Sequence, residues 1–191
     1  MAQSLAKWAT RLGLEATKNQ LEGKPAPFWF GLAHWLVLGR VKRALGLDKS
    51  QMNFYGAAPL KESTRDFFAG LNMPLLNMYG MSESAGYETG SAPLPFWNKL
   101  DAAGVPTPGT FVKIVKANSQ DRDGEICYRG RNIFMGYLKN EEETRKALDG
   151  QGFLHSGDLG YMDGDGFLHI TGRIKELIIT AGGENVAPVL I

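Results

Sequence analysis

The chain has one cysteine, three histidines, almost no net charge and no long apolar run, and each scarcity excludes something. With Cys127 alone, no internal disulfide framework is possible, and the chain suits a reducing compartment. The expected place for Cys127 is a small buried position in a strand. A formal net charge of +1 gives no bulk attraction to nucleic acid or to acidic membranes. No apolar stretch approaches the ~20 residues of a membrane-spanning helix. Met1 leads into Ala2-Gln3-Ser4-Leu5-Ala6-Lys7-Trp8, a mixed helical pattern and not a secretory leader. There is no Asn-x-Ser/Thr acceptor, no internal repeat and no low-complexity tract. The apolar share of 43% and the charged share of 21% are those of a globular domain with a real core.

Glycine is the residue in surplus. The chain holds 24, where average usage of roughly 7% would give about 13. Extra glycine points to tight turns and to backbone lying close to a ligand. Leu5, Trp8, Ala9, Leu12, Ala16 and Leu21 recur at helical spacing, which predicts an amphipathic helix over 3–21. Residues 28–46 read as a second, more buried helix stopped at Gly46, with His34 as a core or groove histidine. A strand over 52–55, a helix over 61–71 and a strand over 73–79 give a strand–helix–strand order. That order suggests a parallel α/β unit with ligands at the strands' carboxyl ends. Residues 87–108 read as irregular. Strands follow over 109–115 and 124–130, then a short charged helix over 141–148. Tyr161-Met162 and Phe167–Ile170 flank Asp163-Gly164-Asp165-Gly166. This acidic turn lacks the bidentate Glu and the ligand ladder of a calcium loop, so it reads as a hairpin turn, with His169 structural.

Candidate chemistry concentrates in 151–187. Asp158 ends a short apolar run, and Arg173 and Lys175 follow the hairpin. A hairpin brings Asp158 and Arg173 to one place. An acid can accept both hydroxyls of a ribose. An Arg presents a fixed fork of donors to a sugar or a phosphate. The stretch reads as half of a nucleotide site. Two loops at strand ends are further candidates. Gly56-Ala57-Ala58-Pro59 has no large side chain, and Gly80-Met81-Ser82-Glu83-Ser84 carries hydroxyls and an acid.

Together these segments resemble the adenylate-forming superfamily of acyl-CoA synthetases, luciferases and peptide-synthetase adenylation domains. Tyr79-Gly80-Met81-Ser82-Glu83 is similar to its Tyr-Gly-x-Ser/Thr-Glu motif, and His155-Ser156-Gly157-Asp158 to its Ser/Thr-Gly-Asp motif. Gly172-Arg173-Ile174-Lys175-Glu176 resembles its hinge motif, Gly182-Gly183-Glu184-Asn185 the glycine loop after it, and Gly56–Pro59 its adenine-side segment. The wording of 53–59 and 178–186 is most similar to bubblegum-type long-chain acyl-CoA synthetases. The resemblance implies an α/β fold: part of a large N-terminal domain, a parallel α/β unit plus a β-rich subdomain, cut at the start of a small C-terminal domain. Residues 1–172 would be partial adenylation domain, and 173–191 hinge and C-terminal start.

The implied reaction is ATP-dependent activation of a fatty acid to acyl-CoA through an acyl-adenylate, with ATP, Mg²⁺ and CoA. By resemblance Glu83 ligates Mg²⁺, and Ser82 bonds phosphate within the 79–84 segment that includes Ser84. Tyr79 stacks on adenine, flanked by Gly56, Ala57, Ala58 and Pro59. Asp158 holds the ribose, with Arg173 close by. Lys175 is the hinge, and Gly182 and Gly183 let the pantetheine arm pass. The resemblance also implies a cytoplasmic enzyme in loose peripheral contact with the endoplasmic reticulum or other internal membranes, and no nucleic-acid partner. The family's phosphate loop and C-terminal lysine are not in this sequence, and the chain stops at Ile191 just after Ala187-Pro188. Little turnover is therefore expected from the chain alone, and exposed apolar surface is expected to make it poorly soluble. A non-enzymatic truncated product and a sister activity such as aryl-CoA ligase are the alternatives.

Overall fold

The computed structural model describes residues 2–176 and the backbone of 178–179 and 185–186. The chain forms two compact units, residues 1–77 with 91–100, and residues 78–90 with 101–191.

The first unit is built on α1 (Ala2–Leu21). Its buried face carries Ala9, Leu12, Ala16 and Leu21, four of the six positions the spacing selects, while Trp8 is half-buried and Leu5 exposed. Ala9 and Leu12 pack in a cluster with Ala33, Leu38, Leu71 and Met73. α1 crosses α4 (Glu62–Gly70) very closely. A Cβ on Gly13 would lie 1.9 Å from the Gly70 carbonyl oxygen, so only glycine fits this crossing. Beside it, the buried Thr17 hydroxyl donates to the Ala69 carbonyl at 2.7 Å.

The expected second helix forms over 30–44, with a π-helical turn inside it. It consists of α2 (Phe30–Ala33), a π-helical turn (His34–Leu38) and α3 (Gly39–Ala44). The π turn, in which the Gly39 amide reaches back to the His34 carbonyl, widens the helix by one residue and shifts its faces. Ala33 and Leu38 go inside, while Phe28, Trp29 and Trp35 are 91%, 56% and 68% exposed. The segment is therefore half-exposed and not a buried helix. His34, expected in the core or a groove, is also exposed. The stop at Gly46 is as expected. Leu47 donates to the Lys42 carbonyl at 2.8 Å and Gly46 to Arg43 at 3.0 Å, the two bonds of a Schellman end. β1 (Asn53–Gly56), α4 and β2 (Leu75–Met81) follow in the expected order, with β1 beside β2.

In the second unit, the end of β2 pairs antiparallel with β3 (Gly86–Gly90), and β3 with β4 (Val105–Pro106). The stretch 87–108 is thus not wholly irregular. β3 buries Glu88 and Thr89, so it lacks the apolar alternation that marks a strand. Glu88 accepts from Thr110 Oγ1 at 2.8 Å and Asn132 Nδ2 at 2.7 Å, which stabilises a buried carboxylate. An antiparallel meander follows: β5 (Phe111–Val115), β6 (Gly124–Arg129), β7 (Leu154–Met162) and β8 (Leu168–Arg173). Its core is Ala103, Ile126, Tyr128 and Leu168. Helix α5 (Glu141–Ala147) is capped by Asn140, whose side chain accepts from the Glu143 amide at 3.2 Å. The short strands β9 (Ile178–Ile179) and β10 (Asn185–Val186) pair antiparallel.

The acidic turn is the hairpin turn expected. Asp163 accepts from the amides of Asp165 at 3.0 Å and Phe167 at 2.9 Å, and its second oxygen lies 3.0 Å from His169 Nε2. Cys127 is fully buried in β6. Burial, and then the charge of Glu125, pushes its thiol up to about 12, which keeps it protonated and inert.

Candidate functional site

The hairpin sets the register that makes the site. With the turn closed at Asp163, the ladder runs back to pair Asp158 with Arg173. Arg173 Nε donates to Asp158 Oδ1 at 2.8 Å. Tyr79, at the end of β2, donates its hydroxyl to Asp158 Oδ2. Asp158 is only 4% exposed, and this pairing makes its burial tolerable.

The backbone at Asp158 is shaped by what precedes it. Gly157 holds φ at +72°, a left-handed geometry that costs glycine nothing. Its amide donates to Glu125 Oε1 at 3.1 Å, and Glu125 Oε2 lies 2.7 Å from His155 Nδ1. Ser156 donates to the Ile126 carbonyl at 2.6 Å and accepts from the Asp158 amide at 3.0 Å. The Ser-Gly-Asp sequence is thus a strand stitched to β6 that delivers one carboxylate to one point. Tyr79 also faces Tyr128, ring centroids 5.9 Å apart. Burial first, and then the Asp158 charge and bond, push the Tyr79 phenol well above its ordinary range. Burial, followed by Tyr79, does the same for Tyr128. The Tyr128 hydroxyl is buried beside Tyr79.

The other candidates fall as follows. Ser82–Ser84 form a short 3₁₀ turn after β2. Glu83 is half-buried and accepts from the Tyr137 hydroxyl at Oε1, 2.7 Å away. Ser82 is exposed. Ser84 is buried, and its hydroxyl is held among the Met81 amide (3.2 Å) and the carbonyls of Met81 (2.9 Å) and Gly86 (3.1 Å). Gly80 and Met81 are half-buried β2 residues. Lys175 is exposed on the turn Ile174–Glu176. In the first unit, Gly56 ends β1 and Ala57, Ala58 and Pro59 follow it, all four exposed. Gly182 and Gly183 lie outside the described residues. Ala57 and Ala85 hold φ at +63° and +57°. Such strain in a residue with a Cβ costs of the order of 1–3 kcal/mol and collects at functional loops. Tyr128, Glu125 and Tyr137 are missing from the sequence-derived set, because nothing local in their surroundings signals a partner so distant in sequence.

An acid, a guanidinium and a phenol ring at one point suit a ribose, a phosphate and a flat base. Residues 9–138 match the family model described as AMP-binding enzyme, and the chain belongs to that family. Among curated proteins it is 49% identical to the long-chain-fatty-acid–CoA ligase ACSBG2 of Gallus gallus over 192 residues, covering 100% of this chain. It is 52% identical to ACSBG1 of Rattus norvegicus over 186 residues, covering 96%. The chain spans 25% of the length of each of these relatives. Among solved structures it resembles O-succinylbenzoate coenzyme A synthetase of Bacillus subtilis in complex with ATP and magnesium ion. The TM-score is 0.63 at 26% identity, over 78% of this chain and 33% of that one.

Proposed function

We propose that this chain supplies nucleotide-binding machinery to an ATP-dependent ligase that joins long-chain fatty acids to CoA. The observation that carries the reading is the convergence of Tyr79, Asp158 and Arg173 in a chain about half identical to long-chain-fatty-acid–CoA ligases. In such a reaction a fatty carboxylate attacks the α-phosphorus of ATP. The bond to the β-phosphate oxygen breaks, pyrophosphate leaves and an acyl-adenylate forms. The CoA thiol then attacks the acyl carbon, loses its proton and displaces AMP.

Each residue has a role set by its chemistry. Asp158 accepts the ribose hydroxyls. Both of its oxygens already hold a donor, so a ribose replaces the Tyr79 hydroxyl or shares an oxygen, each of which accepts two bonds. Arg173 pairs with Asp158 through Nε and keeps its remaining donors for a ligand, since its side chain is 60% exposed. The Tyr79 ring stacks on adenine. Glu83 offers the hard oxygen donor that Mg²⁺ takes together with substrate phosphates, and it is not fully buried. When bound, that ion neutralises charge where two anions must meet. Ser82 bonds phosphate, and Lys175 serves as the hinge between residues 1–172 and 173–191. We also propose a cytoplasmic enzyme in loose contact with the endoplasmic reticulum or other internal membranes, a location that a lipid substrate supports.

The test grafts these residues into the rat relative in place of its matching segment. Pyrophosphate and acyl-CoA formation from palmitate, ATP, Mg²⁺ and CoA are then followed with and without Asp158→Ala. Activity lost in the variant supports the reading. A folded graft that adenylates another carboxylate but not palmitate moves the protein to a sister activity, and an inert one sinks the proposal.

A further inference from the structure

We infer that Tyr137 is a positioning residue that fixes the Glu83 carboxylate for a divalent cation, an inference that rests on the role given to Glu83 above. Glu83 sits on a three-residue turn, and its side chain has several rotatable bonds. Left alone, such a carboxylate spends most of its time away from any one cation geometry. The 130–137 segment clamps this turn at three points. Asn132 Nδ2 donates to the Ser84 carbonyl at 3.1 Å, and the Phe134 amide to the Glu83 carbonyl at 2.8 Å. The Tyr137 hydroxyl donates to Glu83 Oε1 at 2.7 Å. The first two hold the backbone, and only the third holds the carboxylate.

Tyr137 is itself held. Its amide donates to Thr144 Oγ1 of α5 at 2.9 Å, and its ring meets Phe134 edge-on with centroids 4.9 Å apart. The phenol is neutral, so it directs the carboxylate without cancelling its charge, as Arg or Lys would. A phenol has one proton to give, and it gives it to Oε1. Oε2 would then be the oxygen left to hold a Mg²⁺ ion. Tyr137 is 40% exposed and belongs to neither core cluster, so removing its hydroxyl leaves packing intact.

The experiment uses the 191-residue chain with Mn²⁺ as a paramagnetic probe. Free Mn²⁺ is counted by electron paramagnetic resonance for the unmodified chain, Tyr137→Phe, Glu83→Gln and the double variant. Partners that orient a ligand typically contribute 10–100-fold to metal affinity. Tyr137→Phe is therefore expected to raise the Mn²⁺ dissociation constant about 10-fold, Glu83→Gln at least as much, and the double variant no further than Glu83→Gln. The melting temperature and AMP affinity in chelator stay unchanged in Tyr137→Phe. Equal Mn²⁺ affinity for the unmodified chain and Tyr137→Phe overturns the proposal, as does the same fold loss with Glu83 already replaced. The nucleotide reading is tested separately. Absence of AMP binding by the unmodified chain counts against that reading alone, because the metal measurements contain no nucleotide.

Discussion

The β7–β8 hairpin carries an aspartate near each end, and the two are committed differently. Each meets a basic side chain, Asp158 with Arg173 at 2.8 Å and Asp163 with His169 at 3.0 Å. Both are mostly buried. The difference lies in the remaining partners. Asp163 takes two backbone amides from its own turn, so its lone pairs serve the loop that presents it. Asp158 is held by side chains from β2 and β8, which can move without unfolding a turn. A carboxylate satisfied by backbone is structural, whereas one satisfied by side chains can exchange a partner for a ligand. On that ground we propose the hairpin's open end, and not its acidic tip, as the nucleotide site.

Replacing Asp158 is expected to have the largest effect. A bond to a charged group contributes about 1.5–3 kcal/mol. Two such bonds to a ribose, at the low end of that range, correspond to about 100-fold in affinity. Asp158→Ala should weaken AMP binding by about that factor in equilibrium dialysis. Asp163→Ala should leave AMP affinity unchanged, yet strip two amides and His169 of their acceptor, at about 2 kcal/mol of stability. A lower urea midpoint would show it. If Asp163→Ala abolishes AMP binding while the fold survives, the distinction between the two ends fails.

The alkaline limb of stability sharpens the contrast. Tyr79 and Tyr128 hold their protons above the ordinary phenol value of about 10, whereas the unfolded chain releases its phenol protons near there. With pKa values raised in the folded state, their contribution is complete below pH of about 10 and is lost as pH rises further. The urea midpoint should therefore hold up to about pH 10 and fall progressively above it. Tyr79→Phe should flatten part of that fall, and Asp163→Ala should leave its slope unchanged.

What the sequence made legible follows from how local each signal is. α1 was readable because its buried residues repeat every helical turn, and Asp158 with Arg173 because a Gly-rich turn between them fixes the register. β3 was not, since it buries Glu88 and Thr89 and is justified only by Thr110, Asn132 and Ala103 elsewhere in the chain. The π turn was hidden because a segment apolar on all sides has no period to interrupt. The link from Tyr137 to Glu83 spans 54 residues, and neither residue's neighbours encode it. Ser84 carries the same hydroxyl as Ser82, but its backbone bonds to Met81 and Gly86 are a property of the fold.

The smallest effect expected on the hairpin is at His169. Its ring stacks on Tyr161 with centroids 4.7 Å apart and planes 2° off parallel, while Nε2 meets Asp163. In His169→Gln the amide can still donate to Asp163, so only the stack is lost, about 0.5 kcal/mol. In His169→Ala the carboxylate also loses a partner, and the cost should rise by about 1 kcal/mol. Thermal melts of the two variants isolate that polar contribution. The Asp163 carboxylate keeps its two turn amides in both, so AMP affinity should match the unmodified chain throughout. A change in AMP affinity in His169→Ala would mean that the turn's register, and not only the side chains at the open end, sets the position of Asp158.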